Sequence, residues 1–188
     1  MNYKDVVAEL RRIGDEFFST RGAVFMQAIQ AITDSLKAGH KILVFGNGGS
    51  AAEAQHFASE MVNKFLINRP PLKAIALTTD TSILTSIGND TSFDSIFSRQ
   101  VEALGESGDV ALALTTSGNS PNVIQALQSA KQKKMTTITL TGKGGGKAAP
   151  LSDYLLDLPS GETPRIQEVH LLLIHLIVQE IEIRLENP

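Results

Sequence analysis

Two kinds of hydrophobic pattern follow one another along the chain, and the change falls near residue 41. Before it, apolar residues recur every three or four positions, as on one face of a helix, which predicts an amphipathic helix at the N-terminus. The residues concerned are Val6, Leu10, Ile13 and Phe17. A second helix is predicted over about 24–36, with its end near Gly39.

From Lys41 onward the apolar residues form short continuous runs, separated by segments long enough for helices. The runs are Ile42–Phe45, Ala74–Leu77, Val110–Leu114, Thr136–Leu140 and Tyr154–Leu156. Strands that are apolar on both faces and alternate with helices are typical of a parallel sheet covered by helices on both sides. We therefore predict an α/β fold in which a helical arm precedes the sheet.

The C-terminal region predicts one long helix. Thr163 is a good N-cap, Pro164 suits the first helical position, and the pattern continues to about Leu185. Between Leu171 and Val178 the helix is apolar nearly all round, so it has to be buried on several sides. Since one small subunit does not easily cover a terminal helix, we predict a homo-oligomer.

Composition excludes several classes of protein. The 188 residues contain no cysteine, which excludes disulfides and thiolate chemistry. A net charge of −3 without a basic run argues against a nucleic-acid partner. The start of the chain does not resemble a signal peptide, and the longest apolar stretch is too short to span a membrane. We expect a soluble, cytoplasmic protein.

Two loops rich in Gly, Ser and Thr follow the first and third predicted strands. Residues 46–50 read GNGGS and residues 115–120 read TTSGNS, and each loop opens a helix. Backbone N–H groups and the helix dipole at such a position bind anions. Neutral donors without a P-loop lysine favour a phosphate monoester held at the carboxyl edge of the sheet. Residues 142–146, also rich in glycine, are predicted to form a mobile loop.

Both loops have alternative interpretations. A capping box formed by Ser50 and Glu53 could fully explain the presence of Ser50. Ser120, which precedes a proline, could be a simple helix cap. The first loop also fits the dinucleotide fingerprint G-x-G-x-x-A. In that fingerprint an acidic residue follows about 20 residues later. The first acid after the next predicted strand is Asp80, which is too far along the chain.

Four side chains on two predicted helices are candidates for chemistry. His56 and Glu60 are one turn apart on the helix that the first loop opens. Gln167 and His175 are about two turns apart on the last helix. The plainer alternatives are a surface ion pair for the first two and a satisfied core histidine for His175. His170 is a weaker candidate on the same helix.

Taken together, these residues resemble the SIS (sugar isomerase) domain and, within it, the phosphoheptose isomerase family. The matching stretches cover nearly the whole chain in order. They are Gly46–Ser50, His56–Phe57 with Glu60, Gly88–Asp90, Ile96–Arg99, Thr116–Ser120, Leu140–Gly142 and Arg165–Glu168 followed by His170 and His175.

The resemblance implies a three-layer, doubly wound, five-stranded parallel sheet and a homotetramer with active sites between subunits. Residues 1–36 would be N-terminal helices packing in the oligomer, and residues 37–188 the SIS domain. The implied reaction converts sedoheptulose 7-phosphate to D-glycero-D-manno-heptose 7-phosphate. This product supplies heptose for bacterial surface polysaccharide, including the lipopolysaccharide core.

The resemblance also assigns roles to residues of this chain. Glu60 would be the base and His175 the acid of an isomerisation through an enediol, with one zinc ion per subunit. The implied zinc ligands are His56, Glu60, Gln167 and His175. The implied substrate contacts are Asn47, Gly48, Gly49, Ser50, Asn89, Asp90, Thr115, Thr116, Ser117, Ser120 and Gln167. Two positions depart from the common family pattern: Lys64 stands in place of arginine and Thr115 in place of serine.

Two other functions remain open at this point. A related branch of the family binds the bacterial replication initiator without catalysis, but there the acid–base pair is replaced, whereas Glu60 and His175 are present here. A sugar-phosphate sensor in a transcription regulator would need a helix-turn-helix domain. The first 35 residues are too acidic and too short for one.

Overall fold

The five apolar runs form a single parallel sheet at the centre of the molecule. A computed structural model of the chain describes residues 2–186 and places the strands in the order β2-β1-β3-β4-β5. The strands are β1 (Ile42–Gly46), β2 (Ala74–Ala76), β3 (Val110–Thr115), β4 (Thr136–Thr141) and β5 (Tyr154–Asp157). Each lies within one residue of its predicted run at both ends, so the predicted sheet is confirmed.

Helices cover both faces of this sheet. They are α1 (Tyr3–Lys37), α2 (Gly49–Val62), α3 (Thr81–Asp90), α4 (Ser98–Leu104), α5 (Pro121–Gln132) and α6 (Thr163–Glu186), with 3₁₀ turns at Phe93–Ser95 and Gly146–Leu151. Every residue of β1 and β3 is buried. One hydrophobic cluster joins the sheet to α1, α2 and α6, and a second joins its other face to α4 and α5. This is the predicted three-layer architecture.

The N-terminal region is one helix of 35 residues and not the two helices predicted. A capping box between Asn2 and Asp5 starts it. Gly22, which lies where the break was expected, adopts an ordinary helical conformation without a positive φ. The buried face continues through Phe25 and Ile29, so nothing interrupts the helix. The division of the chain after residue 36, with the arm packing in an oligomer, stays a prediction.

The strand order determines where a ligand can enter. From β1 the chain crosses to β2 on one side, whereas β3 lies on the other side and leads to β4 and β5. The helices that follow β1 and β3 therefore cover opposite faces, and their preceding loops diverge. Such a reversal leaves a crevice at the carboxyl edge of the sheet.

The last helix, α6, begins at Thr163, one residue before the predicted first helical position, and packs on α1 and α2. Most of its apolar run is buried, but Leu171 and Leu172 remain 38% and 46% exposed. Among residues 2–186 no helix is long and apolar enough to cross a membrane.

Candidate active site

A cavity of about 290 Å³ opens between the ends of β1 and β3. This volume is near the lower end of the roughly 300–1,000 Å³ usual for ligand sites, so the cavity suits a small molecule. The described residues that line it are all uncharged. They are Asn47, Gly48, Gly49, Ser50, Leu114, Thr115, Thr116, Ser120, Thr163 and Gln167. Both predicted anion-binding loops therefore face one cavity.

The first loop leads directly into the N-terminus of α2. Gly48 is the N-cap, with φ of 58°, and no side chain caps the helix. The predicted capping box of Ser50 and Glu53 is therefore wrong, because the N-cap lies two residues earlier, at Gly48, and Ser50 falls inside the first turn. Ser50 lines the cavity instead.

In the second loop, some hydroxyl groups shape the backbone while others face the cavity. Thr115 Oγ1 accepts a hydrogen bond from Gly118 N at 3.2 Å, and Ser117 Oγ accepts one from Asn119 N at 3.1 Å. Ser120 is the N-cap of α5, yet its side chain makes no capping hydrogen bond. The Ser120 hydroxyl is thus available to the cavity that it lines, whereas Ser117 is not among the lining residues.

A pair of amide side chains ties the two loops together. Asn47 Nδ2 donates to Asn122 Oδ1 at 2.8 Å, and Asn122 Nδ2 donates back to Asn47 Oδ1 at 2.9 Å. Asn122 is only 2% exposed. The sequence analysis did not single it out, although a buried-face asparagine in the first turn after the loop was a signal that could have been followed.

The glycine-rich segment 142–146 packs on the second loop, and its predicted mobility stays a prediction. Gly142 N donates to Thr116 O at 3.1 Å, and Ala148 N donates to Gly118 O at 2.9 Å. A Cβ on Gly146 would lie 2.7 Å from Ser117 O. Glycine is needed at this position because the two backbones approach so closely. The sequence alone does not indicate that residues 142–146 contact the second loop.

Beyond the cavity, the packing of α2 against α6 brings three predicted chemical groups together. His56 Nε2 lies 2.8 Å from His175 Nε2 and 3.6 Å from Glu60 Oε1. The ring of Phe65 stacks on that of His175, with centroids 5.3 Å apart. His175 is partly buried at the edge of the core and is not one of its fully buried members.

Gln167 lies beside the first loop. Its amide packs so closely on Gly49 that a Cβ there would lie 2.9 Å from Gln167 Oε1. Gln167 also lines the cavity, two turns before His175 on the same helix. The fourth predicted group thus belongs to the cavity between the loops and shares a helix with His175.

The donor types in this cluster fit zinc, which accepts imidazole nitrogen and carboxylate oxygen. The two imidazoles face each other through Nε2, so in the neutral state one ring donates to the other. Within residues 2–186, however, no group of three or more His, Cys, Asp or Glu is arranged to hold a metal ion. Zinc stays a prediction.

Three other residues named from the sequence lie away from the cavity. Asn89 and Asp90 are exposed at the end of α3, where Asn89 Nδ2 donates to Asp90 Oδ1 at 2.7 Å. Asp80 caps the start of α3 by accepting from Ile83 N. None of these three residues lines the cavity in the described subunit.

Glu182 is a buried carboxylate that the sequence analysis missed. Burial alone would raise the pKa of Glu182. Hydrogen bonds from the N–H groups of residues 65–67 and the nearby charge of Arg69 outweigh that effect, and the pKa is lowered. Its spacing of seven residues after His175 was the available signal, because that spacing puts both on one helix face.

Comparison with known proteins places these features in context. The SIS domain family model matches residues 5–142. The phosphoheptose isomerase of Azoarcus sp. (strain BH72) is 55% identical over 163 residues, covering 85% of this chain and 83% of that protein. A structure of phosphoheptose isomerase from Neisseria gonorrhoeae is 47% identical with a TM-score of 0.88, covering 94% of each chain. One from Francisella tularensis is 38% identical with a TM-score of 0.90, covering 96% of this chain and 98% of that one.

Proposed function

We propose, for a chain that belongs to the phosphoheptose isomerases of the SIS domain family, the conversion of sedoheptulose 7-phosphate to D-glycero-D-manno-heptose 7-phosphate. The protein is a sugar-phosphate isomerase. One observation carries the assignment of roles within the site. A cavity lies between two neutral anion-binding loops, and Gln167, which lines it, is on the same helix as His175 of the cluster of one carboxylate and two imidazoles.

Each part of the site has a task in this reaction. The loops at residues 47–50 and 115–120 hold the phosphate through backbone N–H groups and hydroxyls, and the neutral donors allow the product to leave. Glu60 removes a proton from one carbon of the substrate and returns it to the neighbouring carbon through an enediol. His175 donates a proton to the sugar oxygen, and its Nε2 lies in contact with Nε2 of His56.

We propose zinc as the metal, one ion per subunit, with His56, Glu60, Gln167 and His175 as its ligands. The donor types support this choice. When bound, zinc would polarise the substrate carbonyl.

The biological setting follows from the family. We propose a cytoplasmic homotetramer, with active sites between subunits, that supplies heptose for surface polysaccharide. Asn89 and Asp90 are exposed in the described subunit, and a neighbouring subunit's cavity is where they would contact substrate. The alternative of a non-catalytic partner of the replication initiator is not favoured, since the curated relatives are isomerases.

One assay tests the proposal directly. The purified protein is incubated with sedoheptulose 7-phosphate, with and without a chelator, and the aldose product is measured. Glu60→Gln should lower kcat by about 10²–10⁴-fold, the usual contribution of a general base. Glu180→Gln, the same change on an α6 carboxylate paired with Arg184, is the matched control and should keep full activity. Full activity of Glu60→Gln would refute the role of Glu60, and no aldose from the wild type would refute the function.

A further inference from the structure

A buried ion pair lies beside the proposed acid and base. Glu182, 2% exposed on α6, accepts hydrogen bonds from the backbone N–H groups of Phe65, Leu66 and Ile67 at 2.9–3.2 Å. It also accepts one from Arg69 Nε at 2.8 Å. Four donors thus converge on one carboxylate and fix the segment after α2 to the C-terminal half of α6.

The remaining donors of Arg69 hold the end of α2. Its Nη1 donates to Met61 O at 2.9 Å and its Nη2 donates to Glu60 O at 2.8 Å. The last carbonyl groups of a helix lack partners within the helix, so a bound cation fixes that turn. One of the two carbonyls belongs to Glu60 itself.

The same segment contacts the proposed acid. Phe65, whose N–H is bound by Glu182, stacks on His175 with an angle of 15° between the ring planes. His175 and Glu182 are two turns apart on one face of α6. Glu182 therefore reaches both proposed groups through its partners: Glu60 through Arg69, and His175 through Phe65.

We propose that Arg69 and Glu182 are positioning residues for the isomerisation, which fix the distance between Glu60 on α2 and His175 on α6. This inference rests on the proposed function. Neither residue lines the cavity between the loops, so phosphate binding does not depend on them directly. Their loss should therefore affect the proton-transfer step more than substrate binding.

An arginine is required for this arrangement. Its Nε, Nη1 and Nη2 atoms each donate to a different group, in a planar fork. Lysine has one nitrogen and cannot hold Glu182 and both carbonyls in the same geometry. Arg69→Lys thus keeps the charge and removes the geometry.

The chain offers a matched control directly before β3. Asp109 is fully buried and accepts from the backbone N–H groups of Lys41 and Glu106 and from Lys41 Nζ. Like Glu182, it is a carboxylate bound by backbone donors and a cation. Asp109→Asn should lower the melting temperature as Glu182→Gln does. It should leave catalysis unchanged, because Asp109 is not bonded to the segment after α2.

The experiment measures kcat and KM for sedoheptulose 7-phosphate in the wild type, Arg69→Lys, Glu182→Gln and Asp109→Asn. A misplacement of about 1 Å can cost about 10²-fold in rate, so we expect kcat to fall about 10–100-fold in the first two variants. Their KM should change less than about threefold, and Asp109→Asn should keep the wild-type kcat.

Other outcomes separate the possibilities. No turnover by the wild type refutes the proposed function and this inference with it. If the wild type turns over and kcat is unchanged in Arg69→Lys and Glu182→Gln, the positioning role alone is refuted. It is also refuted if kcat falls equally in Asp109→Asn. If Glu182→Gln does not fold, Phe65→Leu decides, because it removes the stacking on His175 and leaves the ion pair. Its kcat should fall at constant KM, and an unchanged kcat would overturn the inference.

Discussion

Replacing Gly118 by alanine should damage the second anion-binding loop for two separate reasons. Gly118 has a φ of +65°, and in this region an L-residue loses roughly 1–2 kcal/mol. A Cβ there would also lie 2.9 Å from Gly146 N and closer still to the carbonyl of Gly145, both backbone atoms that cannot rotate away. Overpacking of this kind typically costs about 1–3 kcal/mol.

The combined loss is about 2–5 kcal/mol of unfolding free energy. For a chain of this size each kcal/mol lowers the melting temperature by about 2–4 °C, so we expect a drop of about 4–20 °C in calorimetry. KM for the sugar phosphate should rise as well, because Thr116 and Ser120 belong to the same loop.

Two glycine controls separate strain from collision. Gly39 has a φ of +85° with no atom within 4 Å of an added Cβ, so Gly39→Ala should show only the strain. Gly22 lies in α1 with neither feature, and Gly22→Ala should stabilise the helix by about 0.5–1 kcal/mol. If Gly118→Ala lowers the melting temperature no more than Gly39→Ala, the collision with residues 145–146 does not exist and the reasoning is refuted.

Three further predictions follow from the site and the core. Asn122→Ala should raise KM more than it lowers kcat, because the amide pair with Asn47 joins the two loops and does not involve the acid–base cluster. Steady-state kinetics measures both constants, and an unchanged KM would contradict the prediction. Gly49→Ala should displace the Gln167 amide and lower activity with little loss of stability, because the atoms in the way end a flexible side chain; an active variant would contradict it. Burial would raise the pKa of Asp109, but bonds from Lys41 and Glu106 lower it, so its stabilisation is present above the unfolded-state pKa of about 3.9 and is lost below it. Urea unfolding of wild type and Asp109→Asn should therefore converge as the pH falls below about 4, and a constant difference would contradict the shift.

The sequence predicted the elements well because their signals are local. Continuous apolar runs such as Val110–Leu114 define strands buried on both faces, and the signal at Thr163 and Pro164 predicted the start of α6 to within one residue. The two loops could be assigned to one sheet edge because parallel strands end on the same side. The break predicted within α1 failed because helical periodicity continues through Gly22.

The remaining features depend on contacts between distant parts of the chain. Asn47 and Asn122 are 75 residues apart, and Phe65 and Glu182 are 117 residues apart. Neither pairing can be predicted from the sequence of one segment, because each contact depends on how distant parts of the chain pack together. The same limit applied to Gly118, whose requirement for glycine comes from the backbone of residues 145–146.

No charged side chain is among the described residues that line the cavity. This determines how the affinity of the loops for substrate varies with pH. Fixed dipoles of peptide groups and hydroxyls do not titrate near neutral pH. A phosphate ester does, with a second ionisation near pH 6. Between pH 5 and 8 the part of the substrate affinity that these loops supply should therefore follow the ionisation of the ligand itself.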